Sequence, residues 1–144
     1  MAFEFSKFIK GNADSLYSIK KDLPALSGYA LYNGQALKVT GGALCYADSA
    51  DTVYAISNVS AASSVVTASY YPEYFPVNDN QVWKSTLGSA ITALTVAGSK
   101  MNIATSTTGT GVAGDTPATG LLVYKVATAE SPTSAIYVIF APSI

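Results

Sequence analysis

The sequence predicts an all-β protein: a small β-barrel or jelly-roll-like sandwich of about eight to ten short antiparallel strands, preceded by an N-terminal arm with a short helix. Three features of the chain predict it. From Gly28 onward, short apolar or alternating runs rich in Val, Ile, Thr and Tyr follow one another, the composition of a pleated, half-buried surface. Turn residues break these runs at close intervals: Asn33-Gly34, Gly41-Gly42, Asn78-Asp79-Asn80, Gly88, Gly98 and Ser131-Pro132. Lysine is also unevenly placed, since Lys7, Lys10, Lys20 and Lys21 are half of the 8 cationic side chains. That shift separates residues 1–27, read as the arm, from 28–144, read as the barrel domain.

In the arm, Phe3, Phe5, Phe8 and Ile9 form a dense apolar group beside Lys7 and Lys10. Terminal residues fray unless something ties them down, so these side chains are expected to be buried. They either fold back on their own domain or dock on another subunit, and the arm reading takes the second. The stretch "NADSLYSIKKDLP" then reads as a helix. Asn12 or Asp14 caps it, Leu16, Ile19 and Leu23 fall on one face, Lys20 and Lys21 suit the final turn, and Pro24 ends it.

The strands follow in order. "YALYNGQALKVTGGALCYA" holds two or three, with hairpin turns expected at Asn33-Gly34 and Gly41-Gly42. "TVYAIS", "SSVVTASYY", "QVWKS", "AITALTV", "KMNIAT", "GLLVYKVA" and "AIYVIFA" continue the series. Between them, "SYYPEYFPVNDNQVW" crowds Tyr70, Tyr71, Tyr74, Phe75 and Trp83 around Pro72 and Pro76. Proline denies the ladder a hydrogen bond, so this segment is expected to leave the sheet. Its aromatics have three readings: a plug at one end of the barrel, a protein interface, or a sugar-stacking platform of Trp83 with Tyr70, Tyr71 and Tyr74.

Composition excludes several classes. At 144 residues the chain is long enough for one domain with a sizeable core. Only 12% of it is charged, about half the ordinary share, so the surface is either covered by Ser, Thr, Asn and Tyr or hidden against partners. With no arginine and a net charge of -1, it lacks the clustered cations of a nucleic-acid binder. Its most apolar run, "GLLVYKVATA", is interrupted by Lys125 and falls short of the ~20 residues that span a bilayer, so no membrane partner is expected. The start, "MAFEFSKFIKGNADS", lacks the pattern of a secretory leader and does not read as a signal peptide, so synthesis in the cytoplasm is expected.

One motif invites a nucleotide. Gly109, Gly111 and Gly114 in "TSTTGTGVAGDT" have the spacing G-x-G-x-x-G. That fingerprint works only where a strand turns into a helix whose N-terminus receives a pyrophosphate. Here "DTPATG" follows, with Pro117 and Gly120, and then a strand-like run. Residues 105–120 therefore read as a long polar loop between two strands.

The inventory for catalysis is thin. There is no histidine to serve as base, and Cys45 stands alone in apolar "GGALCYA", where a thiol packs as a small hydrophobe. Asp48 and Asp51 form the closest acidic pair; too few carboxylates accompany them for a calcium loop, so they read as turn residues, as does Asp79. The S-x-x-K tetrad "SIKK" lacks its companion motifs, and Asn58-Val59-Ser60 is a glycosylation sequon by letters only. No catalytic residue, metal ligand or cofactor is assigned, and the chain is not expected to be an enzyme.

Two long stretches carry a resemblance: "NGQALKVTGGALCYADSADTVYAISNVSA" and "LGSAITALTVAGSKMNIATSTTGTGVAGD". Following an N-terminal arm, this Gly/Ala/Thr/Val-rich texture resembles the small bacteriophage capsid decoration, or cement, proteins. The resemblance implies a structural virion protein on the outer surface of the capsid. Such a protein bridges neighbouring subunits of the major capsid protein, commonly as a trimer, without cofactors. In that reading Phe3, Phe5, Phe8, Ile9, Leu16 and Ile19 anchor the arm, and Tyr70, Tyr71, Tyr74, Phe75 and Trp83 supply a second interface. The alternatives are another phage structural part (a head fibre base, tail or adaptor protein) and a carbohydrate-binding or adhesion module.

Overall fold

The computed structural model describes residues 3–8, 19–47, 51–78, 81–86, 100–103, 113–117, 121–126 and 135–140. In them the chain forms ten strands and no helix: β1 (Glu4–Phe8), β2 (Ala36–Thr40), β3 (Ala43–Tyr46), β4 (Ala55–Ser57), β5 (Tyr74–Pro76), β6 (Gln81–Thr86), β7 (Lys100–Ile103), β8 (Ala113–Pro117), β9 (Leu121–Val126) and β10 (Ala135–Phe140). They make two antiparallel sheets, a six-stranded one ordered β1-β6-β10-β9-β7-β8 and a four-stranded one ordered β3-β2-β4-β5. The Gly41-Gly42 turn joins β2 to β3 as expected. Both glycines have positive φ, 57° and 82°, which a two-residue hairpin demands of its central pair.

The middle of the four-stranded sheet is buried on both faces, and its alternation shows how. Ala36, Ile56 and Phe75 face a core shared with the large sheet, where Phe3, Trp83, Val138 and Phe140 meet them. Leu37, Leu44, Ala55 and Tyr74 face a second core, covered by Leu23, Ala25, Leu31, Val66 and Tyr70 from the connecting segments. Two buried faces require two apolar sets, so neighbouring residues such as Ala36-Leu37 and Ala55-Ile56 are both apolar and buried. The buried polar side chains are bonded: Gln81 Oε1 accepts from the Trp83 indole at 3.2 Å and from Asn78 N–H at 3.1 Å, and its amide donates to Pro76 O at 3.3 Å.

Residues 20–26 strap this small sheet from edge to edge. At β5, Lys20 N–H donates to Tyr74 O at 2.8 Å and Tyr74 N–H returns a bond at 3.0 Å. At β3, Leu44 N–H donates to Pro24 O and Leu26 N–H to Leu44 O, both at 2.8 Å. The Tyr74 phenol adds a hydrogen bond to the Asp22 carboxylate.

Several expectations are corrected by this arrangement. No strand pairing among the described residues joins the two sheets, so the fold is not a closed barrel. The physical reason is that the strap already occupies both edges of the small sheet. The helix does not extend over 19–24: Ile19 is exposed while Leu23 packs on the second core, so the two share no buried face, and the Lys20–Tyr74 bridge holds the backbone extended. The rest of that helix, residues 12–18, lies outside the described residues, as does "AITALTV". Within the described part of residues 1–27, β1 pairs antiparallel with β6 of the large sheet.

"SSVVTASYY" is not a strand; residues 63–65 turn, Val66 inserts into the second core and Tyr70 packs half-buried against it. The proline-rich segment does not wholly leave the sheet, because Tyr74–Pro76 forms β5 on an edge, where Pro76 disturbs the ladder least. Within the glycine-rich loop, Ala113–Pro117 is strand β8, antiparallel to β7. Gly114 thus lies inside a strand and opens no helix. Asn33-Gly34 turns as expected, but the residues before it form only an isolated bridge, Leu31 with Ala61, so the turn joins no strand pair.

Candidate functional site

Where β1 leaves the large sheet beside β4 and β5 of the small one, the two layers diverge around an open cleft of about 160 Å³. Phe3, Phe5 and Trp83 line it from one side, Ile56, Ser57 and Phe75 from the other, with Glu4, Asn33, Gly34 and Asn58 completing it. Alternation places them: Ile56 and Phe75 are the residues of β4 and β5 that point toward the large sheet, and Phe5 packs edge-on against Trp83 with ring centroids 5.7 Å apart.

Ser57, Asn58 and Glu4 of the cleft are engaged. The Ser57 hydroxyl donates to Val59 O at 2.8 Å and accepts the Val59 N–H at 3.3 Å. The Asn58 side-chain amide donates to Glu73 Oε1 at 3.3 Å, which also holds the sequon asparagine against β5's approach segment. Glu4 pairs with Lys84 at 3.5 Å, an exposed contact of little energetic weight. A volume this size is well below the ~300 Å³ of ordinary small-molecule pockets, so it admits at most one side-chain-sized ring or alkyl group. Its rings and alkyl groups suit it to apolar contact.

The residues singled out from sequence separate into three groups. Phe3, Tyr74 and Trp83 are core: Phe3 is 3% exposed and stacks edge-on against Phe140 at 5.0 Å, and Trp83 and Tyr74 are each 1% exposed. Their burial is met within the chain, and a sugar platform built on Trp83 and Tyr74 has no exposed face. Phe5, Tyr70 and Phe75 are half-buried against the two cores. Ile19, 51% exposed, and Tyr71, 45% exposed, are at the surface. The side chain of Phe8, and all of Ile9 and Leu16, lie outside the described residues.

Sequence reasoning missed part of the surface. Tyr29, Tyr32 and Tyr54 are exposed, as are Val39 and Val65. A signal for the first two is present in "GYALYNG", where Tyr29 and Tyr32 flank buried Leu31 beside a turn. Cys45 is buried as expected, and burial pushes its thiol above the usual range. Asp51 bonds Lys38 Nζ at 2.9 Å, and that hydrogen bond raises the lysine's affinity for its proton. Asp48 and Asp79 lie outside the described residues, among which no group of three His, Cys, Asp or Glu is placed to hold a metal ion.

Among the described residues, Tyr74 is strongly perturbed. Burial, reinforced by the bond to Asp22, drives its phenol well above the ordinary range. The folded chain therefore holds this proton more tightly than the unfolded one. The stabilisation is complete below pH ~10, the unfolded phenol's value, and is lost as pH rises above it. Tyr74→Phe is expected to cost about 1 kcal/mol near neutrality, from the missing bond to Asp22, and to flatten the loss of stability above pH ~10. Urea melts of both chains across that window check this; identical pH slopes would contradict it. No protein-family model matches the chain, and no curated protein matches it significantly.

Proposed function

We propose that this chain is a structural virion protein that decorates a bacteriophage capsid and stabilises it by bridging neighbouring capsid subunits. The observation that carries the reading is a self-contained two-sheet body, poor in charge, that still presents large apolar and aromatic side chains outward, Ile19, Tyr29, Tyr71 and Val65 among them. Tyrosine supplies broad, rigid, amphipathic contact with little conformational entropy to lose, which suits a protein interface. Apolar contact contributes ~25 cal/mol per Å² removed from water, and a symmetric shell repeats each modest contact many times. Ile19 adjoins Lys20 and Tyr71 lies three residues before Tyr74, so both stand close in sequence to the backbone bridge between those two residues. In this reading the anchor includes the exposed surface around the strap, since Phe3 is buried within its own chain. A trimer, with the major capsid protein as partner, is the assembly this reading favours.

Co-sedimentation with undecorated heads of the encoding phage tests it. The intact chain is expected to bind saturably, at a stoichiometry set by the symmetry of the shell. Tyr71→Ala is expected to keep the wild-type melting curve and to weaken binding by ~2 kcal/mol, about thirtyfold, if Tyr71 lies at the centre of the contact. An intact chain that never associates with the heads contradicts the proposal.

A further inference from the structure

Asn33 precedes Gly34, the one Asn-Gly pair in the sequence. Such pairs are chemically labile, because glycine puts no Cβ in the way of its own backbone nitrogen as that nitrogen approaches the asparagine amide. The reaction runs in two steps. The Gly34 nitrogen gives its proton to base and bonds to Asn33 Cγ, and the Cγ–N bond of the side-chain amide breaks to release ammonia, leaving a succinimide. Water then opens either carbonyl of that ring, giving aspartate or, with the backbone rerouted through the side chain, isoaspartate.

The structure places the electrophile and the nucleophile in opposite circumstances. Asn33 is exposed at the cleft, whereas Gly34 is buried and held at φ 82°. The Gly34 N–H that must be lost donates instead to Ser57 O at 2.8 Å, and Gly34 O accepts Phe3 N–H at 2.9 Å. On the outer side, Asn33 N–H donates to Ser60 Oγ at 2.9 Å, and Gln35 N–H closes the turn on Tyr32 O at 3.0 Å. The end of β4 and the residue leading into β1 therefore clasp the reactive peptide from two directions.

We propose that Asn33 is a conformation-gated deamidation site, silent while Phe3 and Ser57 hold its turn and reactive once they release it. The product keeps a record of the release. Either product adds a negative charge at the cleft, and the iso form inserts an extra backbone carbon into a turn fixed at both ends, so the bonds to Phe3 and Ser57 cannot all re-form. The change is one-way, and it marks chains whose leading strand has been loosened. This inference is independent of the virion reading.

Incubation of the full chain at mildly alkaline pH, followed by peptide mapping for aspartate and isoaspartate at position 33, tests it against the same chain in denaturing urea. Conversion in the folded chain is expected to be at least about tenfold slower than in urea, since reaction must wait for local opening. Ser60→Ala removes one outer tether at an exposed position, and it is expected to raise the native rate at least about twofold without shifting the urea rate. Equal rates in folded and unfolded chains, an Asn33 that stays intact even in urea, or a native rate unmoved by Ser60→Ala would each overturn the proposal.

Discussion

Deleting residues 1–26 is expected to abolish cooperative folding rather than to leave a sound β body. The deletion removes β1 from the edge of the large sheet and Phe3 from the shared core. It also strips Leu23 and Ala25 from the second core, and unties both edges of the small sheet at Lys20 and at 24–26. Loss of a buried Phe side chain alone costs ~3–5 kcal/mol, and a whole domain is stable by only ~5–15 kcal/mol. The remaining losses exceed what is left. Trp83 is the single tryptophan, so its emission reads the outcome directly. The truncated chain should show a red-shifted spectrum and no sharp urea transition; a blue-shifted spectrum with a wild-type transition would show that the segment is dispensable.

Trp83→Ala is expected to be the most damaging single substitution, at ~3–5 kcal/mol. Trp83 heads the largest fully buried side chains and touches both neighbours of the aromatic cluster, Phe5 at 5.7 Å and Phe140 at 6.3 Å. Its removal opens a void that the two sheets cannot close without losing the contact of Phe3 with Phe140. It also deprives Gln81 Oε1 of the indole donor, although Asn78 N–H still reaches that oxygen. Trp83→Phe keeps most of the ring volume and should cost clearly less. Thermal melts followed by circular dichroism should place the alanine variant roughly 10 °C or more below the wild type. A loss under ~1 kcal/mol would contradict the packing described.

Strand-rich composition and turn punctuation carried most of the fold. "KVTGGALC" announces its hairpin outright, because two adjacent glycines between apolar runs have few other uses. "GLLVYKVA" and "AIYVIFA" become β9 and β10 nearly residue for residue. Other elements were hidden for physical reasons. β8, "AGDTP", consists largely of residues that strands avoid, and only its pairing with β7 makes it one. The helical spacing of Leu16, Ile19 and Leu23 is a local pattern, and the segment from Ile19 onward is settled by distant partners, Tyr74 and Leu44.

The candidate site was less legible than the fold. Which of many aromatics face outward depends on strand register, and a shift of one residue exchanges the two faces. Tyr74 and Tyr71 stand three positions apart in one run, yet the first anchors the second core and the second meets solvent. Nor does sequence show that a buried Phe3 has found its partner in Phe140, at the far end of the described chain. Composition narrows chemistry well, since a chain without histidine or arginine offers few routes to catalysis. It does not place a docking face.

The burial of the leading strand within its own chain is tested most directly by nuclear Overhauser contacts in the monomer, at a concentration where sedimentation shows a single chain. Cross-peaks from the Phe3 ring to Phe140, and from Phe5 to Trp83, are expected there at full intensity. Phenylalanine resonances that are narrow and without such contacts, gaining them only when copies associate or a shell is added, would contradict the structure's account of this segment.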